Sequence, residues 1–108
     1  MNYEDIVNML EETNLPFAYD HFAEGEAPEP PFICFLFPGT SNVFADNVVW
    51  QKINDLNIEL YTNKKEPALE ARLEDVLTAH EFPYEKSEVW IESENMYEVL
   101  YQTQMIGG

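Results

Sequence analysis

The run Phe32-Ile33-Cys34-Phe35-Leu36-Phe37 constrains this chain more than any other feature. Pro30-Pro31 precede it and Pro38-Gly39 follow it. Proline locks φ, lacks an N–H and pushes the residue before it out of the helical region. Apolar residues confined between two such breaks are too few for a helix and predict a short strand, buried on both faces or covered by a partner. The rest of the chain then has to supply neighbouring strands and a layer to pack on them.

That supply is legible in the flanking segments. Tyr3, Ile6, Val7 and Leu10 recur at helical spacing, with Asn2 as N-cap and Glu4 and Asp5 at the positive end of the helix dipole. Asn14 and Pro16 end that helix. Phe17 to Phe22 reads as a first strand, and the proline-rich acidic stretch 24–31 as an extended, solvated loop. Pro38 to Asn42 is turn chemistry, and the loop continues to Asn47 with Val43 and Phe44 in it. Val48 to Lys52 and Leu56 to Thr62 read as one long or interrupted strand, its second part alternating apolar Leu56, Ile58 and Leu60 with Asn57, Glu59 and Tyr61. Pro67 opens a second helix with the stripe Leu69, Leu73, Val76, Leu77 and His80, closed by Pro83. Tyr84–Glu92 and Met96–Ile106 are strands joined at Glu94-Asn95. The order α-β-β-β-α-β-β predicts an α+β fold, one domain over 1–108, with a mainly antiparallel sheet of about four to five strands packed with two helices.

Charge narrows the function. The chain has 108 residues, 21 Asp and Glu against 5 Lys and Arg, and a formal net charge of −16. A nucleic-acid reader needs a basic surface, and an anionic membrane would repel this chain for the same reason. A single cysteine excludes an internal disulfide and suits a reducing compartment. With no membrane-length apolar run and no basic leader region, the expectation is a soluble cytosolic protein. The acids are uneven: eight lie in residues 1–30, which hold no Lys or Arg, whereas residues 31–51 hold only Asp46. The middle of the chain is therefore the neutral, core-like part.

Nothing in the pattern points to catalysis, a metal or a cofactor. His80 ends an apolar helical stripe and reads as a capping or core histidine, and His21 as a surface or pairing residue. Cys34, inside the aromatic run, reads as a small buried hydrophobe. No calcium-loop spacing, zinc cluster or glycine-rich phosphate loop is present. The glutamates from Glu85 to Glu98 read as a solvated strand edge that discourages aggregation. The terminal Gly107-Gly108 matches ubiquitin-like sulfur carriers, but those folds begin with a hairpin, whereas this chain reads as beginning with a helix.

Taken together, several phrases do resemble a family. They are Leu15-Pro16-Phe17-Ala18-Tyr19-Asp20-His21-Phe22, the aromatic strand ending Pro38-Gly39-Thr40, and Phe44-Ala45-Asp46-Asn47. The most specific is Ile58-Glu59-Leu60-Tyr61-Thr62-Asn63-Lys64-Lys65-Glu66-Pro67, and Trp90-Ile91-Glu92-Ser93-Glu94 with Tyr97-Glu98-Val99-Leu100-Tyr101 close the pattern. The chain resembles, over nearly its whole length, tail-completion proteins of long-tailed phages and Gram-positive prophages: tail terminators or tail-to-head joining proteins. The resemblance implies a structural protein without cofactor, made in the host cytoplasm and placed at the head–tail junction of the virion. It implies a ring of copies, commonly a hexamer, partnered by the tail-tube protein and the head connector. Phe44, Trp50 and Trp90 are the candidate assembly contacts, and the loops 23–31 and 38–47 the candidate docking segments. Dense acid on a channel wall would repel passing DNA. The rival expectation from charge is an acidic DNA mimic that blocks a DNA-binding enzyme, although Lys52, Lys64, Lys65 and Arg72 interrupt its array.

Overall fold

A computed structural model describes residues 2–107. Helix α1 (Tyr3–Glu11) begins at Asn2, whose side chain accepts from the Asp5 amide while Asp5 accepts from the Asn2 amide, a complete capping box. Strand β1 (Phe17–Tyr19) is shorter than the predicted Phe17–Phe22, because Asp20 takes a left-handed φ of 62° and turns the chain away. Strand β2 (Phe32–Leu36) occupies the apolar run. Next come β3 (Val43–Ala45), β4 (Val48–Gln51) and β5 (Ile53–Thr62), then helix α2 (Pro67–Ala79), β6 (Glu85–Ile91) and β7 (Met96–Ile106). A single 3₁₀ turn, Glu92–Glu94, and a left-handed Asn95 join the last two strands.

Five strands form one sheet in the order β1-β2-β5-β7-β6. All pairings are antiparallel except β1 with β2, which is parallel. A parallel pair needs a long crossover, and residues 20–31 supply one without a helix. The fold is thus α+β and mostly antiparallel, as the order of elements predicts.

The alternation in β5 decides where the helices lie. Leu56, Ile58 and Leu60 are fully buried and share a core with Ile33 and Phe35 of β2 and with Val99, Tyr101 and Met105 of β7. Ile6, Met9 and Leu10 of α1 and Leu73 and Leu77 of α2 close that core from one side. Both helices therefore cover the same sheet face. Arg72 of α2 donates to the Thr13 carbonyl just beyond α1, placing a cation at that helix's negative end. Helix α2 ends in a Schellman-type cap: the Phe82 amide reaches the Leu77 carbonyl (2.9 Å) and the Glu81 amide the Thr78 carbonyl (3.0 Å).

Among the described residues no helix covers the opposite sheet face. Phe32 and Cys34 are nevertheless buried there, under the 20–31 segment: the Phe22 ring meets Phe32 edge-on at 5.3 Å, and Phe32 stacks on Tyr61 at 5.1 Å. The aromatic strand is buried on both faces, by helices on one side and by the acidic loop's few apolar side chains on the other.

Candidate assembly site

Residues 38–47 are not the continuous loop that their turn chemistry predicts. Val43–Ala45 pairs with Val48–Gln51 as a separate two-stranded hairpin. Its turn residues, Asp46 and Asn47, both have positive φ, 51° and 65°. That is the type I′ geometry that matches strand twist, and Asp and Asn tolerate it better than most side chains. The pairing skips from Phe44↔Val49 to Val43↔Gln51, so Trp50 is the extra residue of a β-bulge. The signal was present in the sequence: apolar Val43-Phe44 and Val48-Val49-Trp50 flank an Asp-Asn pair.

The base of this hairpin is clamped. The Ser41 amide donates to the Ile53 carbonyl and the Asp55 amide to the Gly39 carbonyl, each at 2.9 Å. The Ile53 amide donates to the Asn42 side chain at 2.9 Å, and the Gly107 amide to the Lys52 carbonyl at 2.8 Å. Beyond that base every residue from Val43 to Trp50 is exposed, Phe44 at 70% and Trp50 at 71%. Large apolar side chains at such exposure on a fixed support mark a contact surface more than scattered surface hydrophobics do.

Trp90, the third predicted contact, lies elsewhere. It sits on the edge strand β6 opposite Tyr97 of β7, with ring centroids 4.8 Å apart, and is 41% exposed. Tyr97 pairs with Thr62 at the end of β5, whereas the hairpin enters at Ile53. The structure thus brings Phe44 and Trp50 together and separates both from Trp90 by the length of β5.

A groove of about 450 Å³ opens at that far end, on the helix-free face. Phe32, Tyr61, Ile91 and Met96 form its sheet side, Pro28 and Pro30 its loop side, and Asp20 and Glu94 stand among its lining residues. Residues 23–31, predicted as a docking loop, are therefore a groove wall. A wider depression of about 890 Å³ lies at the hairpin end, bordered by Asp55, Pro83, Glu85 and Gln104.

Beside the groove, the Tyr61 hydroxyl donates to Glu98 at 2.8 Å and lies 3.2 Å from a Glu59 oxygen. A phenol has one proton to share between these two carboxylates. Burial, then the nearby Glu98 charge, raises the Glu59 pKa above the ordinary carboxylate value. A raised folded-state pKa gives stability that is complete at low pH and lost as pH rises through that value. Glu59→Gln is therefore expected to raise stability at pH 7 by up to about 1 kcal/mol, with a smaller gain near pH 4. Urea midpoints at the two pH values check this; a loss at pH 7 would contradict it.

The other sheet face carries an ion network. Glu70 of α2 is buried, only 3% exposed, although it is a carboxylate and is not one of the apolar residues of the predicted stripe. Lys65 and Lys86 each meet it at 2.8 Å, and Lys86 also reaches Glu74 at 2.7 Å. The Tyr101 hydroxyl donates to the same Glu74 carboxylate at 2.7 Å. Burial opposes the charged form of Glu70, but the hydrogen bonds from Lys65 and Lys86 outweigh it and hold its pKa low. With Arg72 bound to the Thr13 carbonyl, three of the five cations have partners within the chain, although Lys65 and Lys86 stay exposed.

His80 caps α2 and meets Glu12 at 2.7 Å, while His21 pairs with its neighbour Asp20 at 2.8 Å beyond the end of β1. Cys34 is buried, and its thiol is pushed up to about 11, first by burial and then by Glu59. Among the described residues no three of His, Cys, Asp and Glu are gathered as metal ligands, and no helix is long and apolar enough to cross a membrane. Of the terminal Gly-Gly pair, Gly108 lies outside the described residues. Neither a protein-family model nor a curated protein matches the chain.

Proposed function

We propose that this protein is a structural component of a long-tailed phage or prophage particle. It acts at the head–tail junction as a ring of copies that caps the tail tube, joins tail to head, or both. The supporting observation is the clamped, aromatic β3–β4 arm standing off a strongly acidic body. Segment 38–54 carries one acid, Asp46, and one base, Lys52, so it can approach another acidic surface without net repulsion. The resemblance in residue pattern supplies the location, with the tail-tube protein and the head connector as partners and the host cytoplasm as the place of assembly. The work is binding rather than catalysis, and it requires no cofactor. Acid facing the channel would keep DNA from adhering as it passes.

Deleting the gene from the phage or prophage that carries it tests this directly. Electron micrographs are expected to show unjoined heads beside full-length or over-long tails; normal virions would overturn the proposal. The pairing of Lys65 and Lys86 with glutamates, which leaves few unpaired cations, also favours a second reading, a DNA mimic. Inhibition of a restriction or recombination enzyme that competes with DNA, without binding to purified tail tubes, would replace the first reading by the second.

A further inference from the structure

We propose that the β3–β4 arm of one copy seats Trp50 and Phe44 in the groove between segment 20–31 and the ends of β5 and β7 of the next copy. This rests on the self-assembly in the proposed function, not on the head–tail location.

Reach excludes the chain's own groove. The arm joins β5 at Ile53, and Tyr61, eight residues along that strand, lines the groove. Eight residues at ~3.3 Å each span roughly 26 Å, about twice the length of the four-residue β4. The longest dimension of the molecule is 49 Å, close to the roughly 50 Å that Val48–Thr62 spans if β4 continues the line of β5. The arm therefore extends away from its own groove, and only another chain can fill it.

Shape and chemistry match. The groove is lined mainly by apolar atoms, with aromatic Phe32 and Tyr61 and flexible Met96 on its sheet side. At about 450 Å³ it is within the size range of sites that take a drug-sized group, and so has room for an indole. Tryptophan at the centre of a desolvated pocket is the commonest kind of binding hot spot. The charges also complement each other. Lys52, exposed and two residues from Trp50, would face Asp20 and Glu94 at the groove. Few other surfaces of a −16 chain could meet a copy of itself without strong repulsion.

A knob at one end and a socket at the other make a heterologous contact. Each added copy exposes a fresh arm and a fresh groove, so assembly closes into a ring when the rotation per copy allows.

The test places p-benzoylphenylalanine at position 50 of the full chain and irradiates a mixture of isotope-labelled and unlabelled protein. Intermolecular crosslinks to residues 20–34 or 91–96 are expected. Crosslinks to the depression near residues 80–85 and 102–106, crosslinks within one chain only, or none would overturn the proposal. Sedimentation gives the second measurement. Phe44→Ser/Trp50→Ser should weaken self-association by roughly 30-fold or more while leaving the melting transition in place. Lys52→Glu should weaken it several-fold, and Lys52→Glu with Glu94→Lys should restore it. Association should strengthen from 0.05 to 0.5 M salt as the mutual repulsion is screened. A chain that stays monomeric under all these conditions, or a charge swap that restores nothing, would sink the contact. Tail-tube binding separates the two ideas: tubes bound without arm–groove crosslinks leave the head–tail proposal standing alone, and crosslinks without tube binding leave the contact standing alone.

Discussion

Ile58→Ala is expected to lower the unfolding free energy by about 3–4 kcal/mol. Ile58 is fully buried in β5, between Phe35 of β2 and Tyr101 of β7, under both helices. Its neighbours are held in register by strand pairing on both sides, so the structure cannot collapse easily onto the missing atoms, and the cavity term adds to the lost transfer energy. A domain of this size has about 5–15 kcal/mol in total, so the variant should keep its fold with a melting temperature about 15 °C lower or more. The denaturant slope should be unchanged, since the surface exposed on unfolding is nearly the same. Val48→Ala on the arm should change stability by less than about 0.5 kcal/mol, because that side chain is exposed. Equal effects at the two sites would mean that β5 is not the central strand of the core.

Lys65→Met/Lys86→Met is expected to cost about 3 kcal/mol, the low end of the range for breaking a buried ion pair. Glu70 keeps its burial but loses both cations, and an uncompensated carboxylate in that position is costly. The low end applies because both lysines lie at the solvent edge, where water can partly replace them. The pH dependence should change sign as well. In the native chain the lowered pKa of Glu70 gives stability that is present above the ordinary glutamate range and lost as pH falls through the folded value. Without the lysines burial dominates, the carboxyl is pushed upward, and the same site destabilises at neutral pH and recovers in mild acid. Adding Glu70→Leu to the double variant should restore most of the loss and remove the pH dependence, because an apolar side chain suits the site once no cation needs a partner. Urea denaturation between pH 4 and 8 measures all three proteins. A double variant as stable as the native chain would show that Glu70 is hydrated.

Much of the fold was legible because it is governed locally. The capping box at Asn2 and Asp5, Pro67 at the start of α2, and the alternation through β5 each depend on residues within a turn or two of one another. The candidate site was half legible. Phe44 and Trp50 stand out as large apolar residues in a turn-rich segment, and the hairpin bears them exposed. Their grouping on one arm depended on reading Asp46-Asn47 as a type I′ turn, a signal weaker than Asn-Gly and easily merged with the preceding Pro-Gly loop. Glu70 was not legible as a buried residue. Helical spacing places it beside the apolar stripe, but only the approach of Lys65 before α2 and Lys86 on β6 lets a carboxylate lie there.

By itself the sequence determined the elements: a strand confined between prolines, two capped helices, alternating strands and an acid-rich chain with a neutral middle. Those follow from backbone restriction, periodicity and charge, which act over a few residues. Only the tertiary structure decided that β1 lies parallel to β2, that both helices share one face, that an acidic loop covers the other, and that the aromatic arm and the apolar groove stand at opposite ends. Each of these depends on which distant segments bury one another, and burial energy is blind to sequence order until the chain has closed its loops.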